Sequence, residues 1–232
     1  VERALGDVAA SDRRMRRFIT DASHELRTPL AAIQGYAELT RQDSAVLPET
    51  TEYSLARIES EARRMNELVS DLLLLARLDE GHDLEKADLD ITDVVADAVS
   101  DAAVSAPTHR WLTDIPDHPV WVRGDRARLH QAIANLLSNA RVHTPAGTTV
   151  STVVSAGGGA DGNCVEVRVS DDGPGIDPEL LPHLFERFMR ADKSRSREAG
   201  SFGLGLSIAA STVEAHCGSI EAQSASGTTT FT

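Results

Sequence analysis

LARIESEARRMNELVSDLLLLA, residues 55–76, decides the architecture of the first third of the chain. Leu55, Ile58, Ala62, Met65, Val69, Leu72 and Ala76 follow alternating steps of three and four, a heptad seam over three repeats. Upstream, Ile19, Ala22, Leu26, Pro29, Ile33 and Tyr36 keep the same rhythm, so residues 8–78 read as two long helices. The segment between them, 42–50, carries Pro48 and polar turn formers and folds the helices back as an antiparallel hairpin. A lone hairpin leaves its apolar faces half exposed. Two hairpins paired as a four-helix bundle cover them, so the pattern asks for a homodimer.

Charge and glycine in 79–86 end the helical pattern and mark a domain boundary. Beyond it the texture is mixed: a helix near 92–105, strand patterns at 109–115 and 120–122, a helix near 125–142, and two Val/Thr-rich strands flanking Gly157, Gly158 and Gly159. A further helix is expected over 207–216. Such alternation predicts a layered α/β or α+β sandwich. The domains expected are a helical connection (1–17, with Arg13, Arg14, Arg16 and Arg17), a helical hairpin (18–80), a linker (81–90) and a sandwich (91–232).

The chain has 232 residues and a formal charge of -13, from 36 acidic against 23 basic side chains. That balance repels nucleic acid backbones and anionic lipid, so no direct nucleic acid binding is expected. No run approaches the ~18 apolar residues of a membrane span. Cys164 and Cys217 lack disulfide or CxxC spacing and read as small buried or half-buried residues of a reducing compartment. Lysine occurs only at 86 and 193, and neither follows a glycine, which removes the Walker P-loop; the VAIK, HRD and DFG elements of eukaryotic-type kinases are also missing. Any ATP site must be built another way.

With Ile19 at heptad position a, His24 falls at f, far from the seam and pointing to water. Thr28 lies one turn further on the same face, and Pro29 removes a helical hydrogen bond just beyond. A neutral imidazole is a nucleophile near physiological pH, and the adjacent Glu25 carboxylate can hold its tautomer and accept its proton. A solvated His-Glu pair on a helix surface explains as much on its own.

Three later stretches suit a nucleotide. Asn135 and Asn139 put two carboxamides on one helix face, apt for a hydrated Mg²⁺ and phosphate oxygens, although a capping or solvated pair would look similar. Asp171 with Gly173 and Gly175 follows a strand; the glycines permit close backbone approach and a carboxylate can accept the exocyclic amine of adenine, while a plain β-turn uses the same residues. Gly203, Leu204 and Gly205 lead into a helix whose bare amides make a phosphate site. Between them, an Arg-rich run from Arg190 has the look of a lid or of a solvated loop.

Residues 18–39 resemble the H-box of bacterial sensor histidine kinases, and the three later stretches with 184–190 resemble the N, G1, F and G2 boxes of their ATPase domain, related to the gyrase and heat-shock-chaperone ATPases. The resemblance implies a helical hairpin forming a dimeric four-helix bundle, followed by a histidine-kinase-type ATPase α/β sandwich. It makes His24 the phosphoacceptor, Glu25 its base or orienter, and Thr28 a positioner of water in dephosphorylation of the partner. ATP and Mg²⁺ are the implied ligands, Asp171 the adenine contact, Asn135 and Asn139 the metal-side residues, and a response-regulator receiver domain the partner. It further implies the cytoplasmic portion of a plasma-membrane sensor, with membrane attachment only through segments absent from this sequence.

Three positions depart from the family pattern. Val142 stands where a basic residue is common, with Arg141 one earlier; His143 replaces an aromatic and could still stack on adenine; Ser201, beside Phe202, replaces a glycine. These leave room for a catalytically impaired nucleotide-binding scaffold, and for an ATPase without phosphotransfer, as rival readings.

Overall fold

The computed structural model describes residues 26, 30–38, 40, 49–79, 84–158, 164–189, 202–225 and 227–232. The chain divides into two compact units, Val1–Glu80 and Gly81–Thr232. Residues 1–17 and the connection with Pro48 lie outside the described residues.

The first unit contains helix α1 (residues 30–38) and helix α2 (Glu49–Asp79). Leu30 of α1 packs with Val69 and Leu73 of α2, which closes the hairpin. The heptad seam, expected to act as one surface, splits in two. Ala62, Val69 and Ala76 are buried, whereas Ile58 and Met65 are 45% and 41% exposed. On the first helix Leu30 and Ala37 are buried, and the expected seam residues Leu26, Ile33 and Tyr36 are exposed. The inner half of the repeat joins α1 to α2; the outer half is an apolar face left over, as the homodimer expectation requires.

Asp71, half-buried on α2, has its carboxyl pushed up to about 6, first by burial and then by the Glu67 carboxylate one turn earlier.

The second unit begins earlier than the expected linker allows. Residues 87–90 are not linker but strand β1 (Ala87–Asp90), paired antiparallel with β3 (Trp121–Gly124). Leu89 is buried in the core, and the Asp90 carboxylate caps helix α3 (Ile91–Ser105) by accepting from Thr92 N at 3.0 Å and Val120 N at 2.9 Å. The main sheet has the order β2–β4–β5–β7–β6, from β2 (Arg110–Asp114), β4 (Thr149–Gly158), β5 (Cys164–Asp171), β6 (Ala222–Ala225) and β7 (Thr228–Phe231). β2 runs parallel to β4; every other neighbouring pair is antiparallel.

Helices α3, α4 (Arg126–His143) and α5 (Gly205–Ala215) supply the second layer. Val94, Val95, Leu136, Leu137 and Ala209 meet Val150, Val154, Val169 and Phe231 of the sheet, a core made largely of β-branched and aliphatic side chains, as the scarcity of aromatics requires. The cysteines are exposed, contrary to expectation: Cys164 opens β5 beside the hairpin turn and Cys217 sits past the end of α5 at φ 63°.

Two outcomes are expected of the first unit. Paired Ile58→Glu and Met65→Glu substitutions forfeit about 1.5–3 kcal/mol of burial per side chain in a dimer and shift sedimentation towards monomer with helicity retained; an unchanged mass would move the interface elsewhere. Because the folded Asp71 pKa is raised, its contribution to stability is complete below 3.8 and is lost as pH rises through about 6. Asp71→Asn should therefore match the parent's melting temperature at acid pH and exceed it above pH 6.

Candidate functional site

The described contacts among the predicted residues of the second unit are two: Asn135 of α4 with Gly205 at the start of α5, and Asp171 at the end of β5 with Gly173. α4 forms because Asp125 caps it, its side chain accepting from Arg128 N at 3.1 Å, and because Ala132, Ile133, Leu136, Leu137 and Ala140 give it a buried stripe. That stripe leaves Asn135 and Asn139 half-buried on the adjoining face. Asn135 Nδ2 donates to Gly205 O at 3.0 Å, tying α4 to the first turn of α5. One carboxamide proton is thus committed to structure, and Asn135 Oδ1 is left to accept from, or coordinate, something else.

Asp171 closes β5 in an apolar setting. Trp111, Val150, Asp171, Thr229 and Ser224 form one cross-strand row on the helix-covered face. Asp171 is 5% exposed, and Gly173 N donates to its Oδ1 at 3.0 Å. Burial pushes this carboxyl above its ordinary range, the Gly173 hydrogen bond pulls it down, and the Asp172 carboxylate pushes it up again; the net direction is upward.

The turn after Asp171 is pinned from three sides. Asp172 Oδ1 accepts from Thr149 N at 2.7 Å and Asp172 N donates to Thr149 O at 3.2 Å, fixing it to β4. Ile176 N donates to Ser224 Oγ at 2.8 Å, fixing it to β6. On the α4 side, a Cβ at Gly173 would lie 2.6 Å from Thr144 Cγ2 and 2.7 Å from Asp171 Oδ1, so no side chain fits there. Gly175 follows at φ 81°.

Gly203, at φ 73°, takes a left-handed turn into α5, a conformation cheap only for glycine. Leu204 is buried, and its carbonyl accepts from Ser207 Oγ at 2.8 Å. Gly203 O accepts from Phe188 N at 2.9 Å. Phe188 is itself held at φ 63°, costly for an aromatic residue. The amides of the first turn of α5 therefore stand beside Asn135, where a helix N-terminus favours an anion.

His24, Glu25, Thr28, Arg190 and Ser201 lie outside the described residues. His143 ends α4 exposed, Val142 is half-buried, and Arg141 Nη2 donates to Ser138 Oγ at 3.3 Å on the helix surface. Sequence reading passed over Thr229 and Ser224. For Thr229 a signal existed: in the strand TTTF the residue two before buried Phe231 shares its face. Its place opposite Asp171 depended on a register no local pattern gives.

Residues 14–81 match the His Kinase A (phospho-acceptor) domain, and residues 124–232 match the histidine kinase-, DNA gyrase B- and HSP90-like ATPase. The chain is 65% identical over its full length to the sensor histidine kinase TrcS of Mycobacterium tuberculosis, covering 45% of that protein. It is 50% identical, over 98% of its length, to the probable sensor histidine kinase TcrY of the same organism, covering 47%. The chain thus spans about half the length of the curated relatives it matches. Among solved structures, full-length ShkA in complex with AMPPNP superposes with a TM-score of 0.77 at 25% identity, over 93% of this chain and 45% of that one.

The raised carboxyl gives a stability signature that can be read without ligand. A carboxyl whose folded pKa is raised contributes stability below its unfolded value and loses it as pH rises through the folded value. Asp171→Asn keeps an acceptor for Gly173 N and removes the buried charge. Its melting temperature should exceed the parent's at pH 8 and converge with it below pH 3.8. Equal melting at pH 8 would show that Asp171 is not held desolvated.

Proposed function

The chain belongs to the bacterial sensor histidine kinases of two-component systems, and from that premise we propose that it autophosphorylates His24 with Mg-ATP and passes the phosphoryl group to an aspartate of a response regulator. The observation that carries this reading is a buried Asp171 carboxylate with one oxygen held by Gly173 N, supported by an α5 N-terminus tied to Asn135.

Each part has a task in that reaction. Asp171 Oδ2 accepts the exocyclic amine of adenine, because Oδ1 is already engaged. The amides of Gly203, Leu204 and Gly205 receive phosphate oxygens, and Arg190 adds positive charge from the segment beyond Phe188. His143 flanks the base. Asn135 and Asn139 offer carbonyl oxygens that suit a hydrated Mg²⁺, and Asn135 fits the part because the bond from its Nδ2 to Gly205 O fixes the orientation of its carboxamide. When bound, Mg²⁺ neutralises phosphate charge. The transfer needs positioning and charge neutralisation more than covalent help.

His24 supplies the nucleophile: its ring nitrogen bonds to the γ-phosphorus while the bond to the ADP oxygen breaks, and Glu25 orients the imidazole and takes its proton. The resulting phosphoramidate hands the group to the partner's carboxylate. Thr28 positions water when the same surface dephosphorylates that partner. The exposed face bearing Ile33, Tyr36, Ile58 and Met65 supports a homodimer through a four-helix bundle. The proposed setting is the cytoplasmic portion of a plasma-membrane sensor. No described helix is long and apolar enough to cross a membrane.

Incubation with γ-labelled ATP tests the proposal. The expected product is acid-labile, base-stable label on the parent chain and none on His24→Gln. Label that survives His24→Gln, or phosphate release without label, would overturn it.

A further inference from the structure

Beside the adenine-side turn runs a hydrogen-bonded brace that the kinase reading does not use. Thr144 follows the last turn of α4, and its Oγ1 proton is committed to Ala140 O at 2.7 Å. The same oxygen lies 3.1 Å from His109 Nε2, so it accepts there and His109 is the donor. Thr108 Oγ1, 3.4 Å from His109 Nδ1, faces the other ring nitrogen. His109 is anchored in turn: its amide donates to Ala106 O at 3.2 Å, and its ring lies 6.0 Å from that of Trp111, whose Nε1 donates to the same carbonyl.

Two hydrogen bonds on one hydroxyl fix the Thr144 side chain in a single rotamer. That rotamer aims Cγ2 at Gly173, where a Cβ would meet it at 2.6 Å. The Gly173 peptide is therefore set from the α4 side, and Gly173 N is the donor that holds Asp171 Oδ1.

We propose that His109 and Thr144 are positioning residues that orient the Asp171 carboxylate, and with it the preference of the site for a base bearing an exocyclic amine. The inference rests on the nucleotide site of the kinase reading and adds to it a specificity device reaching from the residue before edge strand β2 to the end of α4. Neither residue touches the base. His109 acts on Thr144, Thr144 on Gly173, and Gly173 on Asp171.

The test titrates the full chain with Mg-ADP and Mg-IDP by calorimetry; hypoxanthine carries an oxygen where adenine carries its amine. The parent should prefer ADP. His109→Ala and Thr144→Val should each weaken ADP roughly three- to tenfold, the scale of one lost hydrogen bond, and leave IDP unchanged, so that the ratio narrows. His109→Gln, which keeps an N–H donor, should restore the ratio. A structural role alone would weaken both nucleotides together. His109 is half-buried at the sheet edge, so its variant keeps the test open should Thr144→Val fail to fold. An ADP to IDP ratio unchanged in His109→Ala overturns the proposal; a parent chain that binds no Mg-ADP overturns the kinase reading and this inference with it.

Discussion

A carboxylate buried in a cross-strand row of a β-sheet is the constraint around which the second unit is organised. Asp171 stands between Val150 and Thr229, under the helix layer, where ionisation is disfavoured. Its neighbours meet that cost in part: one oxygen is held by Gly173 N, and Gly173 lacks a side chain because Thr144 and Asp171 itself occupy the space. Asp172 and Ser224 then fasten the turn to β4 and β6. Stability given up by burying the Asp171 carboxylate is the ordinary companion of a preorganised acceptor.

The first unit meets a different demand. A helical hairpin cannot cover two apolar faces with one partner helix, and its heptads divide accordingly. Residues seven apart on α2, Ala62, Val69 and Ala76, face inward with Leu30 and Ala37 as their counterparts on the first helix; Ile58 and Met65, also seven apart, remain outside. The inner set mixes small residues with Leu30 and Leu73, which pack together with Val69.

Much of this was legible in the sequence because the signals were local. The heptads announced the hairpin, and Asn135, Asp171 and Gly203 stood out as candidates because side-chain type and spacing along one helix or one turn carry the chemistry. What escaped was decided by pairing across distance. Ala87–Asp90 looks like linker because three of its four residues are charged or small and only Leu89 reaches the core; pairing with Trp121–Gly124 makes it a strand. Thr229 acquires meaning only from its register with Asp171, and His109 only from Thr144, 35 residues on. The outward split of the seam was equally hidden, since the inner and outer positions of a heptad are both apolar. The cysteines were misplaced for a simpler reason: the usual burial of the residue type says little about a strand's first residue or a residue just past a helix.

β7 follows every other strand in the chain, yet it lies inside the sheet, between β5 and β6. It brings both Phe231, which closes the core against Phe185 at 6.4 Å, and Thr229, which stands opposite Asp171. During synthesis the helical hairpin emerges before the second unit, with close-range contacts that form early, whereas the pairing that completes the sheet waits for residues 228–231 to leave the ribosome. The order of the strands thus acts as a timer: a nascent chain displays its helices well before it can enclose a nucleotide.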